Sequence, residues 1–161
     1  MPTIRRAISG DRDRLLLLID AFYRIDDHPF DRPRVLAGLE PLLSGDRFGQ
    51  IWVAEDDGEA TVGKLVGYSV VTWGWSLESG GLDCILDEIY VERRRSGLGS
   101  RLLAYSIDEA RRHGARVMAL ETEAPNDGAR RFYRRHGFVD EDSTWMLIDL
   151  TSEPAGHATA G

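Results

Sequence analysis

The sequence predicts an α/β (α+β) fold: a mixed, mostly antiparallel central sheet of about six to seven strands, flanked by about four helices on its two faces. Three observations predict it. Two leucine-rich stretches with helical spacing precede residue 45. Between Ile51 and Val91 the apolar residues take the spacing of strands, with turn residues separating the runs. After Val91 the pattern runs helix, strand, helix, strand to Leu150, an order that lays helices over a sheet.

Ile4 to Ile8 reads as the first strand. Ser9 and Asp11 then offer N-caps to a helix carrying Leu15, Leu16, Leu17, Leu18, Ile19 and Phe22. A polar break with Asp26, Asp27, His28 and Pro29 follows. Asp31, ahead of Pro33, caps a second helix whose apolar face is Val35, Leu36, Leu39, Leu42 and Leu43, and Ser44-Gly45 ends it. Ile51 to Glu55 and Leu65 to Trp73 form an antiparallel meander around Asp56-Asp57-Gly58, and Asp83 to Val91 adds a strand after Gly80-Gly81. A helix from about Ser100 to His113 stops at Gly114. A strand from Val117 to Glu121, a helix from Asn126 to His136 and a final strand from Thr144 to Leu150 complete one domain over residues 1–151. The small, polar residues 152–161 predict a disordered tail.

A chain of 161 residues is long enough to bury an ordinary core, and 42% hydrophobic with 29% charged residues is the composition of a soluble globular domain. No apolar run is long enough to span a bilayer, and the opening Met1-Pro2-Thr3-Ile4-Arg5 lacks a signal-peptide core, so a cytoplasmic protein without membrane partners is expected. The net charge of -7 disfavours nucleic acid as a partner and permits a cationic ligand. Cys84, the single cysteine, allows neither an internal disulfide nor a thiolate metal cluster and reads as a buried strand residue.

Arg94-Arg95-Ser96-Gly97-Leu98-Gly99 lies between a strand and a helix, where backbone N–H groups and the helix dipole converge on an anion. A diphosphate suits such a turn: Gly97 and Gly99 let the backbone approach, and Arg94 and Arg95 add charge. A Walker-type loop is excluded, because it needs Gly-Lys-Ser/Thr and Lys64 is the one lysine in the chain. A dinucleotide fingerprint needs a third glycine where Leu102 stands, although Glu121 falls near the position of its ribose-binding acid.

Here the sequence resembles the GNAT superfamily of N-acetyltransferases, whose signature is Arg/Gln-x-x-Gly-x-Gly/Ala after a carboxylate-bearing strand. Arg94-x-x-Gly97-x-Gly99 matches it, and Asn126-Asp127-Gly128-Ala129-Arg130-Arg131-Phe132-Tyr133-Arg134-Arg135-His136-Gly137-Phe138 matches the second landmark, an Asn-led helix ending in aromatic-Tyr and Gly-Phe. One spacing departs. Family members usually have about two more residues between the strand valine and the Arg/Gln than separate Val91 from Arg94, so either the loop is shortened or the strand ends nearer Ile89.

The resemblance implies direct acetyl transfer from acetyl-CoA, without a metal, to a small-molecule or peptide amine. Arg94, Arg95, Ser96, Gly97, Leu98, Gly99 and Ser100 would hold the CoA diphosphate. The pantetheine arm would lie along Ile89, Tyr90 and Val91 with Asn126 as a further ligand, and a backbone N–H would polarise the thioester carbonyl. A lysine-like amine of pKa ~10.4 is neutral in only about one molecule in a thousand near pH 7, so a base, or a water chain to one, is useful. Asp87 and Glu88 are the candidates, and strand alternation places them on opposite faces. Glu88 is preferred, with Leu86 and Tyr90 as same-face neighbours. Tyr133 is the candidate acid for the leaving thiolate; from periodicity alone it is an aromatic staple with Phe132 and Phe138.

Other residues have plainer readings beside functional ones. Asn126 is an N-cap, and Arg130, Arg131, Arg134 and Arg135 form a solvated helix face. Asp26-Asp27-His28 are too close in sequence to converge on a metal and read as a loop beside the acceptor entrance. Trp73 and Trp75 share a strand face and either wall an acceptor pocket or pack on a half-buried sheet; Glu78 either attracts an amine or is a hairpin charge. His113 and His136 suit helix C-termini. Two other function classes stand beside the enzyme, a catalytically silent acyl-CoA-binding regulator and a nucleotide-dependent oxidoreductase, and exposed sheet edges allow a homodimer.

Overall fold

The computed structural model describes residues 1–58, 63–122 and 126–151. Five strands, β1 (Thr3–Arg6), β2 (Gly49–Glu55), β3 (Leu65–Ser76), β4 (Gly81–Val91) and β5 (Met118–Ala119), lie side by side in chain order. The first four pair antiparallel, and β5 runs parallel to β4. Helices α1 (Arg12–Ile25) and α2 (Arg32–Ser44) join β1 to β2; α3 (Leu98–His113) makes the crossover from β4 to β5, and α4 (Asp127–Arg134) follows.

Helical spacing explains α1. Leu15, Leu16, Leu18 and Ile19 are buried against the sheet, each contributing about 1.5–3 kcal/mol of transfer energy, while Leu17 on the far side is 71% exposed. With Ile51, Val53, Tyr68 and Val70 these residues form a core on one face of the sheet. A second core on the other face joins Val71, Cys84 and Leu86 to Leu103 and Ala110 of α3. There a buried Ser69 hydroxyl donates to Ser106 Oγ (2.7 Å), which itself donates to the Leu102 carbonyl (2.9 Å) and ties α3 to β3.

The feature that positions the site is a bulge in β4. Val70 pairs with Glu88 but Val71 pairs with Leu86, so Asp87 is an extra residue without a cross-strand partner. Side-chain parity resets there: Cys84 and Leu86 face α3, whereas Tyr90 packs with the α1 core and Glu88 reaches toward α1. Alternation therefore holds from Glu88 to Tyr90, as expected, but Leu86 is not the same-face neighbour of Glu88. The bulge also ends the pairing with β5, which is confined to Cys84 and Ile85. From Leu86 onward, one edge of β4 has no strand partner among the described residues.

Several expected elements come out differently. β5 is shorter than Val117 to Glu121. Asp11 does not cap α1: its fully buried carboxylate accepts from Arg5, Arg14 and the Ile8 N–H, fastening β1 to the start of α1. The final strand from Thr144 to Leu150 is absent, which leaves five strands among the described residues where six to seven were expected. A strand needs a ladder to join, and a two-residue β5 offers almost none; Trp145, Met146, Leu147, Ile148 and Leu150 remain exposed. The tail expected at 152–161 lies outside the described residues.

Candidate active site

A cleft of 1140 Å³ opens between α1, the start of α2, the second half of β4 and the N-terminal ends of α3 and α4. It brings together Glu88, Ile89, Tyr90, Val91, Arg94, Arg95, Gly97, Gly99, Ser100, Asn126 and Tyr133, all singled out from sequence. Ser96 and Leu98 do not line it. The Ser96 hydroxyl donates to the Arg93 carbonyl (2.8 Å), and the Leu98 side chain is buried behind the loop. A smaller hollow of 520 Å³ near the N-terminus and α3 gathers Met1, Arg101, Tyr105 and Asp108, away from these groups.

β4 stays paired to its end, with Val91 opposite Gly67, so the short spacing to Arg94 is a shortened loop and not an early strand end. Two residues of that loop are left-handed, Arg95 at φ 63° and Gly97 at φ 79°. Gly97 is the N-cap of α3, whose first-turn N–H groups have no intrahelical acceptor and face the cleft at Gly99 and Ser100. Gly97 is needed for its backbone angle. At Gly99 a Cβ would meet only Phe132 at 3.8 Å and Val91 at 3.9 Å, ordinary contacts. Arg94 and Arg95 are exposed beside this turn, and Arg135 of the segment after α4 adds a third positive group to the wall.

Glu88 is held from both sides. The Tyr23 hydroxyl of α1 donates to its Oε1 (2.9 Å) and the Tyr68 hydroxyl of β3 to its Oε2 (2.7 Å). Burial raises its pKa above the ordinary carboxylate value; the two phenols pull the other way, and the Asp87 charge adds to the rise. Both phenols are in turn pushed up, by burial first and then by the Glu88 charge, so they keep their protons. Asp87 lines the same cleft from the bulge.

Tyr133 serves both of its sequence readings. Its ring packs edge-on against Phe132 (5.2 Å) and Phe138 (5.6 Å), and its side chain also borders the cleft. Burial, and then the charge of Asp26, push its phenol up to about 12. Asn126 caps α4, its Oδ1 accepting from the Ala129 N–H (3.1 Å), and also borders the cleft.

Asp26 and His28 stand at the cleft mouth, their side chains 3.5 Å apart. Trp73 and Trp75 lie elsewhere: Trp73 stacks on His113 (4.3 Å) and donates to the Asp46 carbonyl (2.9 Å), and Trp75 is exposed. His136 contacts the Phe132 carbonyl through Nδ1 (2.8 Å) at the end of α4. Glu78 sits in the turn between β3 and β4, outside the cleft. Sequence reasoning missed Tyr23, Tyr68 and Arg34, another residue of the cleft wall. Tyr23 follows Phe22 in the helical run and Tyr68 lies inside the strand run Leu65 to Trp73, and nothing in their spacing links them to a residue 65 or 20 positions away.

The family model described as Acetyltransferase (GNAT) family matches residues 15–138. An uncharacterized N-acetyltransferase of Bacillus subtilis, YhfO, is 31% identical over 154 residues, covering 94% of this chain and 98% of that protein. The crystal structure of a probable acetyltransferase is 25% identical and superposes with a TM-score of 0.78 over 94% of this chain and 99% of its own. An aminoglycoside N-acetyltransferase in complex with CoA shares the fold, at a TM-score of 0.77 and 17% identity, over 93% of this chain and 95% of its own.

Proposed function

Because the chain belongs to the acetyltransferase (GNAT) family, we propose that it transfers an acetyl group from acetyl-CoA directly to a primary amine of a small molecule or peptide. The observation that carries this reading is that Glu88 and Tyr133, from a strand and a helix 45 residues apart in sequence, border one cleft that ends at the Arg94–Ser100 turn.

The residues present fit the cosubstrate. Arg94, Arg95 and the N–H groups of Gly99 and Ser100 at the start of α3 would hold its diphosphate. The unpaired β4 edge over Ile89, Tyr90 and Val91 offers the hydrogen-bonding groups a missing strand would take, and Asn126 keeps its amide N–H groups free of its capping role. Acetyl-CoA supplies the acetyl group as an activated thioester. Glu88, as general base, removes the proton that leaves the amine nucleophilic; its raised pKa makes it a better base than an exposed glutamate. Tyr133 donates to the departing sulfur. A phenol near 12 cannot be deprotonated downhill by a thiolate of pKa ~8.5, so its contribution is a hydrogen bond that strengthens as the carbon–sulfur bond breaks. Asp26, Asp31, Asp87 and Glu88 on the other half of the cleft favour a cationic acceptor, of the polyamine, aminoglycoside or lysine type.

Thiol release from acetyl-CoA across an amine panel, with mass spectrometry of the product, tests the reading. Glu88→Gln lowers turnover and alters its acid limb; Tyr133→Phe lowers turnover far more than acetyl-CoA affinity. Acetyl-CoA binding with no thiol release on any amine would contradict it and favour a binding module.

A further inference from the structure

Tyr23 and Tyr68 both donate to Glu88, but they stand in different surroundings. Tyr68 is fully buried in the α1 core and does not border the cleft. Tyr23 is half-buried, borders the cleft, and packs edge-on against Phe30 (6.1 Å) and His28 (6.2 Å) near the cleft mouth. One phenol anchors the carboxylate from behind. The other borders the cleft.

Resting on the acyl-transfer reading above, we propose that Tyr23 relays the proton from the acceptor amine to Glu88, with Tyr68 as the positioning residue that fixes the carboxylate. The ammonium N–H donates to the phenolic oxygen of Tyr23 while the Tyr23 O–H, 2.9 Å from Glu88 Oε1, passes its own proton on. The amine nitrogen loses one proton, the carboxylate gains one, and Tyr23 ends with the proton count it began with. The two transfers are coupled, because burial and the Glu88 and Asp87 charges disfavour a free phenolate there. The charged and titratable groups around the pair are Asp87 on β4, Tyr68 on β3, Arg34 on α2 and His28 in the α1–α2 loop, with Tyr90 beside Tyr68. Arg34 opposes the rise of the Tyr23 phenol and His28 that of Glu88, so neither favours proton retention on the acceptor.

The test is acetyl transfer at pH 7 to two probes, Nα-acetyl-lysine amide, whose amine has a pKa of ~10.4, and glycinamide, whose α-amine lies at ~7.7–8.0. Tyr23→Phe should lower kcat on the lysine probe by about 10- to 100-fold, a fraction of a full general-base contribution, with the KM for acetyl-CoA unchanged. On glycinamide, of which roughly a tenth is already neutral at pH 7, the loss should be several-fold smaller. Tyr68→Phe should retain more turnover than Tyr23→Phe. Both variants should move the acid limb of kcat/KM upward, since each strips one donor from the carboxylate. Equal losses on the two amines, or Tyr68→Phe matching Tyr23→Phe, would overturn the relay. A proton inventory on the unaltered protein is independent of how the variants fold. Two coupled transfers predict a bowed dependence of rate on deuterium fraction; a straight or flat line overturns them. An unaltered protein inactive on every amine refutes the acyl-transfer reading and the relay together, whereas an active one unharmed by Tyr23→Phe refutes the relay alone.

Discussion

Substitution of Gly97 by alanine separates two reasons a glycine can stand in an anion-binding turn. Gly97 has φ 79° and nothing within 4 Å of an added Cβ, so the whole penalty is conformational. Holding an L-residue in the left-handed region costs about 1–2 kcal/mol. An exposed loop escapes that strain by relaxing, so the penalty appears when the ligand requires the original turn. It corresponds to a loss of about 5- to 30-fold in acetyl-CoA affinity, with a small change in thermal stability. Gly99→Ala is the control: its Cβ meets only Phe132 and Val91 at ordinary distances, so stability should hold. Any loss of affinity there would measure close approach of the ligand to the backbone. Titration calorimetry with acetyl-CoA, paired with thermal melts, reads both quantities. Unchanged affinity in Gly97→Ala would refute the view that this turn is preorganised by its backbone.

Three further outcomes follow from the charges. Glu88 has a raised folded pKa, so the native state holds its proton more tightly than the unfolded chain, and stability falls as pH rises from the unfolded value of 4.5 through the folded one. Glu88→Gln should therefore melt at least as high as the unaltered protein at pH 8, with the advantage vanishing at pH 4; a lower melting temperature at pH 8 would count against it. Asp87→Asn removes a like charge beside Glu88 and should move the acid limb of kcat/KM downward, opposite to Tyr23→Phe. Asp11 is the reverse case. Burial opposes its ionisation, but Arg5, the Ile8 N–H and Arg14 hold its pKa below the usual value, so its contribution is present above ~3.9 and lost as pH falls through the folded pKa. Asp11→Ala should cost about 2–3 kcal/mol at pH 7, less than a fully buried pair because Arg5 and Arg14 keep 31% and 40% of their side chains exposed, and the deficit should shrink toward pH 3 in denaturant titrations.

What the sequence made legible was what repeats or what is local. The leucine spacing located α1 and α2, Asp31 and Asn126 cap the helices they were expected to cap, and Gly114 ends α3 as expected, although that helix begins at Leu98 and not at about Ser100. The glycine-bearing turn drew attention to one end of the cleft because its pattern lies within a few consecutive residues. The bulge was not legible: Leu86-Asp87-Glu88 alternates like any strand, and the extra residue emerges only from pairing with Val70 and Val71. For the same reason the Glu88 environment was hidden, since it is assembled from α1 and β3. The run from Thr144 to Leu150 has a strand's composition, but composition does not supply a neighbour to pair with.

The bulge at Asp87 also divides β4 into two stretches under separate constraint. Before it Cys84 and Leu86 pack under α3, and after it Glu88 and Tyr90 turn to α1 while Ile89 stays with the α3 core, so substitutions at Glu88 and Tyr90 reshape the α1 side without entering the packing beneath α3. The same device leaves little tolerance for a shift in register. Closing the bulge with Asp87 opposite Val70 would carry the Glu88 carboxylate from between two phenols into the apolar layer under α3, whereas removing Asp87 would keep Glu88 opposite Val70 and on its own face. In this strand a point substitution is a small step, and a one-residue slip of register exchanges the two faces.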